Sequence, residues 1–79
     1  MVITVKLYGV FQLNQPGYNA DTGLRLELPE GACAKDLLVR LGVPESQGAL
    51  IWVENKRVPL DYALADNLEV KIMHIAHGG

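Results

Sequence analysis

The pair Gly78-Gly79, directly after an apolar stretch, puts a carboxylate on two residues that carry no side chain. Glycine tolerates nearly any φ/ψ and has no Cβ to clash, so such a segment can be threaded into a narrow active site, where Gly79 would present a reactive end group. A carboxylate is itself a poor electrophile, because its charge is delocalised and oxide is a poor leaving group. It needs activation. Terminal glycines are also those of an ordinary frayed end, so the rest of the chain has to decide between these readings.

Other residues with chemical potential are fewer. Cys33 stands near a helix start, where the helix dipole could lower a thiol pKa, although a lone cysteine is more commonly a small buried core residue. One cysteine makes no internal disulfide or iron–sulfur site, and no Cys/His set has zinc spacing. His74 and His77 are three apart, which on an extended chain points them to opposite sides and argues against a metal pair. Asp61, Asp66 and Glu69 fit turn and surface positions better than a catalytic pair.

The elements that position these residues must come from 79 residues, enough for one domain and one small core. Hydrophobic residues make up 49% and charged residues 20%, far from the composition of a disordered chain. A net charge of −2 without a run of Lys or Arg offers little to phosphate backbones or anionic lipids, so neither nucleic acid nor membrane is expected as a partner. The N-terminus lacks a basic region followed by an apolar signal core, and no apolar run approaches the roughly 18 residues of a membrane span. A cytoplasmic, reducing location is expected.

Apolar residues alternate from Val2 to Leu13, with Ile3, Val5 and Leu7 on one side and Thr4, Lys6 and Tyr8 on the other, which predicts a first strand. Residues 14–23 are dense in Pro, Gly, Asn and Asp and predict a long hairpin loop. Leu24, Leu26 and Leu28 alternate with Arg25 and Glu27 as a second strand ending at Pro29. The period then becomes helical: Ala34, Leu37, Leu38 and Leu41 fall on one face, and Gly42 followed by Pro44 closes the helix. Ala32-Cys33 replaces the usual polar cap, so the first turn is expected to be frayed or capped by backbone. Leu50–Val53, a turn over residues 54–57 and a short return at Val58-Pro59 follow, with Pro59 at an edge. Leu60–Leu64 is short enough to be a single helical turn. Leu68, Val70 and Ile72 alternate with Glu69, Lys71 and Met73 in a last strand. A helix between the second and third strands requires one mixed sheet to cover, with the first and last strands side by side at its centre.

This ββαβ order, the segment Val53-Glu54-Asn55-Lys56-Arg57-Val58-Pro59, the later Leu64-Ala65-Asp66-Asn67-Leu68-Glu69-Val70 and the terminal Gly78-Gly79 together resemble the ubiquitin-like β-grasp sulfur carriers. This MoaD/ThiS family includes the small subunit of molybdopterin synthase and the thiamin-pathway carrier. The likeness spans the whole chain. Glu54-Asn55 stands where the family has Asn-Gly, Asn67-Leu68 replaces Gly-Asp, and Ile75-Ala76-His77 lacks the family's aromatic or proline residues. The short helix-to-strand connection is similar to the thiamin type and the long first hairpin to the molybdopterin type.

The resemblance implies an α+β fold, a single β-grasp domain over residues 1–79 with a mixed sheet of four to five strands and one helix across one face. The tail over residues 76–79 is expected to be flexible. It implies that the Gly79 carboxylate is adenylylated with ATP on a ubiquitin-activating-type adenylyltransferase, then converted by a persulfide donor to a thiocarboxylate that passes sulfur to an acceptor synthase subunit. Gly78 keeps the tail narrow enough for access. The protein would be a cosubstrate rather than an enzyme, with no bound cofactor or metal, and its Gly79 would carry a free carboxylate as translated. Recognition would fall to the folded body. If Ile3, Val5, Leu7, Ile51, Val53, Val70 and Ile72 face the helix, then Thr4, Tyr8, Trp52 and Met73 emerge on the open face as a partner site, although singly exposed apolar residues are ordinary. The same tail also suits a modifier joined to lysine amines, and a third reading is a plain interaction domain.

Overall fold

The computed structural model describes residues 1–74. The alternation at the start of the chain forms β1, Val2–Leu7, with Ile3, Val5 and Leu7 at 1% exposure or less. The strand ends there and does not continue to Leu13. Gly9 takes φ 63°, and Gly9–Asn14 winds into a short 3₁₀ helix that buries Phe11 completely. The end of β1 is closed by side chains: the Leu7 N–H donates to the Tyr18 hydroxyl at 2.8 Å, and the Gln12 amide donates to the Leu7 carbonyl at 2.9 Å. Those bonds occupy the groups a longer hairpin ladder would use. The apolar spacing of Phe11 therefore reflects core filling from a 3₁₀ turn, which period-two counting cannot separate from strand.

The long loop is held from within. Asn19 Oδ1 accepts the N–H groups of Asp21 and Thr22 at 2.8 and 3.3 Å, Gly23 N–H donates to Asn19 O at 2.7 Å, and Lys6 Nζ donates to Asp21 O at 2.7 Å. β2, Leu24–Glu27, then pairs antiparallel with β1.

α1 spans Ala34–Leu41 and buries Ala34, Leu37, Leu38 and Leu41. It stops at Gly42 with φ 74°, where Val43 N–H reaches Leu38 O at 2.9 Å and Gly42 N–H reaches Val39 O at 3.1 Å, a Schellman ending. Its first turn is capped by backbone: Ala34 N–H donates to Tyr62 O at 2.9 Å and Lys35 N–H to Leu60 O at 2.8 Å. The 60–64 segment is accordingly no helix. It is one turn, closed by Tyr62 N–H to Pro59 O at 3.1 Å, followed by an isolated bridge between Cys33 and Ala63.

β3, Ala49–Val53, and β4, Lys56–Val58, join through a two-residue turn. Glu54 and Asn55 have φ 52° and 66°, the left-handed pair of a type I′ hairpin, so Lys56 and Arg57 belong to the return strand and not to the turn. Pro59, which has no N–H to give, follows the edge strand. β5, Glu69–His74, runs between β1 and β3, parallel to the first and antiparallel to the second, in a sheet of order β2-β1-β5-β3-β4. The inner residues of the sheet and the apolar face of α1 form one cluster, and among the described residues no polar side chain is buried in it. No described helix is long and apolar enough to cross a membrane.

Gly23 is where this framework admits no side chain. Its φ is +76° and a Cβ there would lie 2.8 Å from the Val5 carbonyl oxygen, whereas Gly17, at φ +80°, faces open space. Gly23→Ala should therefore lower stability by more than the roughly 1–2 kcal/mol of left-handed strain alone. Gly17→Ala should stay within that strain cost, as read from urea denaturation of the two variants.

Candidate functional site

Gly78 and Gly79 lie outside the described residues, so the structure shows the strand that leads toward them. Val70 and Ile72 of β5 have 0% exposure, and the strand is paired with β1 as far as Ile72 and with β3 as far as His74, which sits opposite Ala49. The His74 ring packs at 5.8 Å and 53° against the buried Phe11 ring. The 3₁₀ helix that displaced the end of β1 thus supports the last residue of the central strand. His74 itself is exposed.

The open face of the sheet carries Thr4 and Lys6 from β1, Arg25 and Glu27 from β2, Leu50 and Trp52 from β3, Arg57 from β4, and Glu69, Lys71 and Met73 from β5. Cross-strand register aligns Lys6 with Lys71, Lys71 with Trp52, and Trp52 with Arg57. Trp52 and Met73, with Asn55 and Lys71, line a cleft of ≈ 260 Å³. A second cleft of ≈ 320 Å³ on the other side of the indole adds Glu54, Asn67, Leu68 and Glu69. The indole Nε1 is buried without a protein acceptor among the described residues.

Tyr8 follows β1 in extended conformation, 40% exposed, and its N–H donates to Ile72 O at 3.1 Å, which holds it beside the strand of Met73. Thr4 pairs with Glu69, four residues before Met73, about 13 Å back along β5 at the usual strand rise. The structure therefore sets Tyr8 beside Met73, Thr4 level with Glu69, and Trp52 level with Lys71 midway between them, with Trp52 and Met73 sharing a cleft.

Sequence reasoning missed the cations. It found no Lys/Arg cluster, because Lys6, Arg25, Arg57 and Lys71 are scattered along the chain and come together only across strands. The available signal was that Lys6, Arg25 and Lys71 each occupy an outward position of an alternating strand.

The remaining candidates have structural roles. Cys33 is half-buried and forms the N-cap position of α1; its N–H donates to Asp36 Oδ2 at 2.9 Å. That backbone bond, with help from the Cys33 side chain and the Lys35 charge, holds the Asp36 carboxyl below its ordinary value. Asp66 Oδ1 accepts the Val2 N–H at 2.7 Å and so fastens the start of β1. Among the described residues no group of three or more His, Cys, Asp or Glu side chains could hold a metal ion.

No protein-family model matches the chain, and no curated protein does. Solved structures match over nearly all of it. SAMP1 from Haloferax volcanii aligns with a TM-score of 0.74 over 100% of both chains at 14% identity. A Pyrococcus furiosus protein proposed to be molybdopterin converting factor, subunit 1, aligns with a TM-score of 0.71 over 95% of this chain and 98% of that one, at 24% identity. The fold is a ubiquitin-like β-grasp. At such identities what is shared with both proteins is this backbone architecture.

The depressed Asp36 value has a signed consequence. A carboxylate whose pKa is lower folded than unfolded contributes stability that is present above the unfolded value, 3.8, and lost as pH falls through the folded one. Asp36→Asn should be less stable than wild type at pH 7, and in urea denaturation the gap should close as the pH is taken below 3.8.

Proposed function

We propose that this protein is a ubiquitin-like sulfur carrier whose Gly79 carboxylate is the reacting group. The observation that carries the reading is the combination of a β-grasp fold aligned with two solved structures over 100% and 95% of the chain and a central strand described as far as His74, five residues before Gly79. Five residues reach at most roughly 17 Å when extended. The glycines could thus enter a partner's active site while the sheet docks outside it.

The chemistry divides between carrier and partners. On an adenylyltransferase of ubiquitin-activating type, a Gly79 oxygen attacks the α-phosphorus of ATP and pyrophosphate leaves, giving an acyl-adenylate. The outer sulfur of a persulfide then displaces AMP, and cleavage of the S–S bond by a thiol leaves the thiocarboxylate. An acceptor synthase subunit takes that sulfur into a cofactor, of molybdopterin or thiamin type; the name borne by the Pyrococcus furiosus neighbour supports the cofactor-synthesis reading. ATP binds to the partner, and the carrier supplies the end group and a recognition surface that includes Trp52, Met73 and Tyr8, with Thr4 at its margin. Gly78 matters through access, since a displacement of about 1 Å at a reacting centre can cost on the order of a hundredfold in rate. This reading places the protein in the cytoplasm, as a cosubstrate.

Intact mass of protein isolated from its native cell tests the reading. Exchange of one oxygen for sulfur on the C-terminal peptide is the expected result. Covalent species larger than the chain would instead indicate conjugation to lysines, and an unmodified chain in cells making the cofactor would oppose both. Because the gain in mass nearly equals that of one oxidation, it must be located away from Met1, Met73 and Cys33.

Deleting Gly79, or adding one residue after it, should abolish pyrophosphate–ATP exchange by the activating partner. The thermal midpoint should barely change, because the described core and sheet close without that residue. Trp52→Ala should weaken partner binding by about 2 kcal/mol or more if the indole is an interface hot spot. Its circular dichroism should stay native, since Trp52 lies on the face opposite the core.

A further inference from the structure

β2 lies at one edge of the sheet, and its backbone groups divide by parity. The Leu28 N–H donates to Met1 O at 2.9 Å and the Met1 ammonium donates to Leu28 O at 2.8 Å. In the antiparallel register with β1, the backbone groups of Leu26 and Leu24 therefore also point to β1. Those of Arg25 and Glu27 point away from the sheet. Among the described residues only one of these outward groups has a partner: Glu27 O accepts a bond from Arg40 Nη1 at 3.4 Å, and a carbonyl oxygen has a second lone pair. The Arg25 and Glu27 side chains are exposed, and neither joins the ion pairs of the described residues, Met1–Glu30 at 4.0 Å and Lys35–Glu45 at 3.5 Å. Between them Leu26 is half-buried and packs on the core from one side.

We infer that β2 is a self-pairing edge, at which two copies of this chain join antiparallel about Leu26 and continue the sheet across a two-fold axis. Charge selects the register. With Leu26 opposite Leu26 of the second copy, Arg25 of each copy faces Glu27 of the other, and these are the residues whose outward N–H and C=O groups can exchange ladder bonds. Each oppositely charged pair is then also a hydrogen-bonded pair, and symmetry supplies it twice. Centring the axis on Arg25 or on Glu27 would instead oppose like charges. The other edge offers no such match: pairing β4 with itself about Lys56 or Arg57 sets lysine against lysine or arginine against arginine. The two Leu26 residues meet at the close, non-hydrogen-bonded position of the ladder, where each covers apolar surface that a single copy leaves half exposed. The axis stands normal to the sheet, so both copies keep α1 on the same side and their β5 strands run in opposite directions. Trp52 and Met73 lie beyond β1 on the far side from the seam and stay accessible. The inference is independent of the carrier reading.

A contact along strands of four residues is small beside the roughly 1,200 Å² at which stable interfaces begin. The dimer is therefore weak, and sedimentation velocity up to about 1 mM protein is the measurement that reads it. Wild type should pass from monomer to dimer as concentration rises. Glu27→Arg and Arg25→Glu each turn both attractive pairs into repulsive ones and should weaken the dimer at least about tenfold. Their circular dichroism should stay native, since both side chains are exposed. Mixing the two single variants in equal amounts should restore a dimer, and so should the swap Arg25→Glu/Glu27→Arg within one chain. Wild type that stays monomeric at the highest concentration overturns the inference. Dimers formed equally well by wild type and both single variants place the contact elsewhere and overturn it too. Loss in the single variants without recovery on mixing overturns the Leu26-centred register, and growth beyond the dimer overturns the closed two-fold pairing.

Discussion

The constraint on which the molecule depends is that β5 is bonded along both edges and buried on one face. Val70 and Ile72 are fully shielded, β1 and β3 flank them, and α1 packs on the inner side. A parallel neighbour such as β1 cannot follow β5 by a tight turn; it needs a long connection. Here that connection is most of the chain, since β1 opens the sequence and β5 closes the described part of it. The edge strands β2 and β4 are short, and the exposed backbone they leave is correspondingly limited.

That same placement explains how structure serves function in the proposed carrier. A strand held on three sides gives the residues after it a fixed point of departure, and Phe11 against His74 extends the support to the last described residue. The neighbouring outward residues of β3 and β5 build the Trp52–Met73 cleft beside that point. Chemistry at the terminus and recognition on the sheet are thus coupled through the register of a single strand pair, Ala49–Val53 with Val70–His74.

Much of this was legible in the sequence because the two periods are clean. Ile3-Val5-Leu7 and Val70-Ile72 alternate, the helix repeats at Ala34, Leu37, Leu38 and Leu41, and Gly42 marks its end. Those residues gave strand faces, helix bounds and the central pair. What failed was local. Phe11 keeps the alternation by spacing, while Gly9 and the side chains of Gln12 and Tyr18 end the strand. Lys56 and Arg57 look like turn residues by composition, but two left-handed residues, Glu54 and Asn55, suffice for the reversal. The site was half legible: the outward aromatic and methionine follow from alternation alone. The cationic row requires knowing which residue of β5 faces which residue of β1 and β3, and register between distant strands is not encoded in any one segment.

The backbone cap of α1 bears on how the chain folds. Eight residues make a helix too short to persist alone in water, and Cys33 offers no hydroxyl or carboxylate to start it. The donors at its first turn are taken instead by the carbonyls of Leu60 and Tyr62, which lie more than twenty residues later in the sequence. Nucleation of α1 is thereby made non-local. Closing that loop costs entropy before any bond is returned, so helix and cap form as one cooperative unit, and opening of the 60–64 turn deprotects the amides of Ala34 and Lys35 in the first turn of the helix.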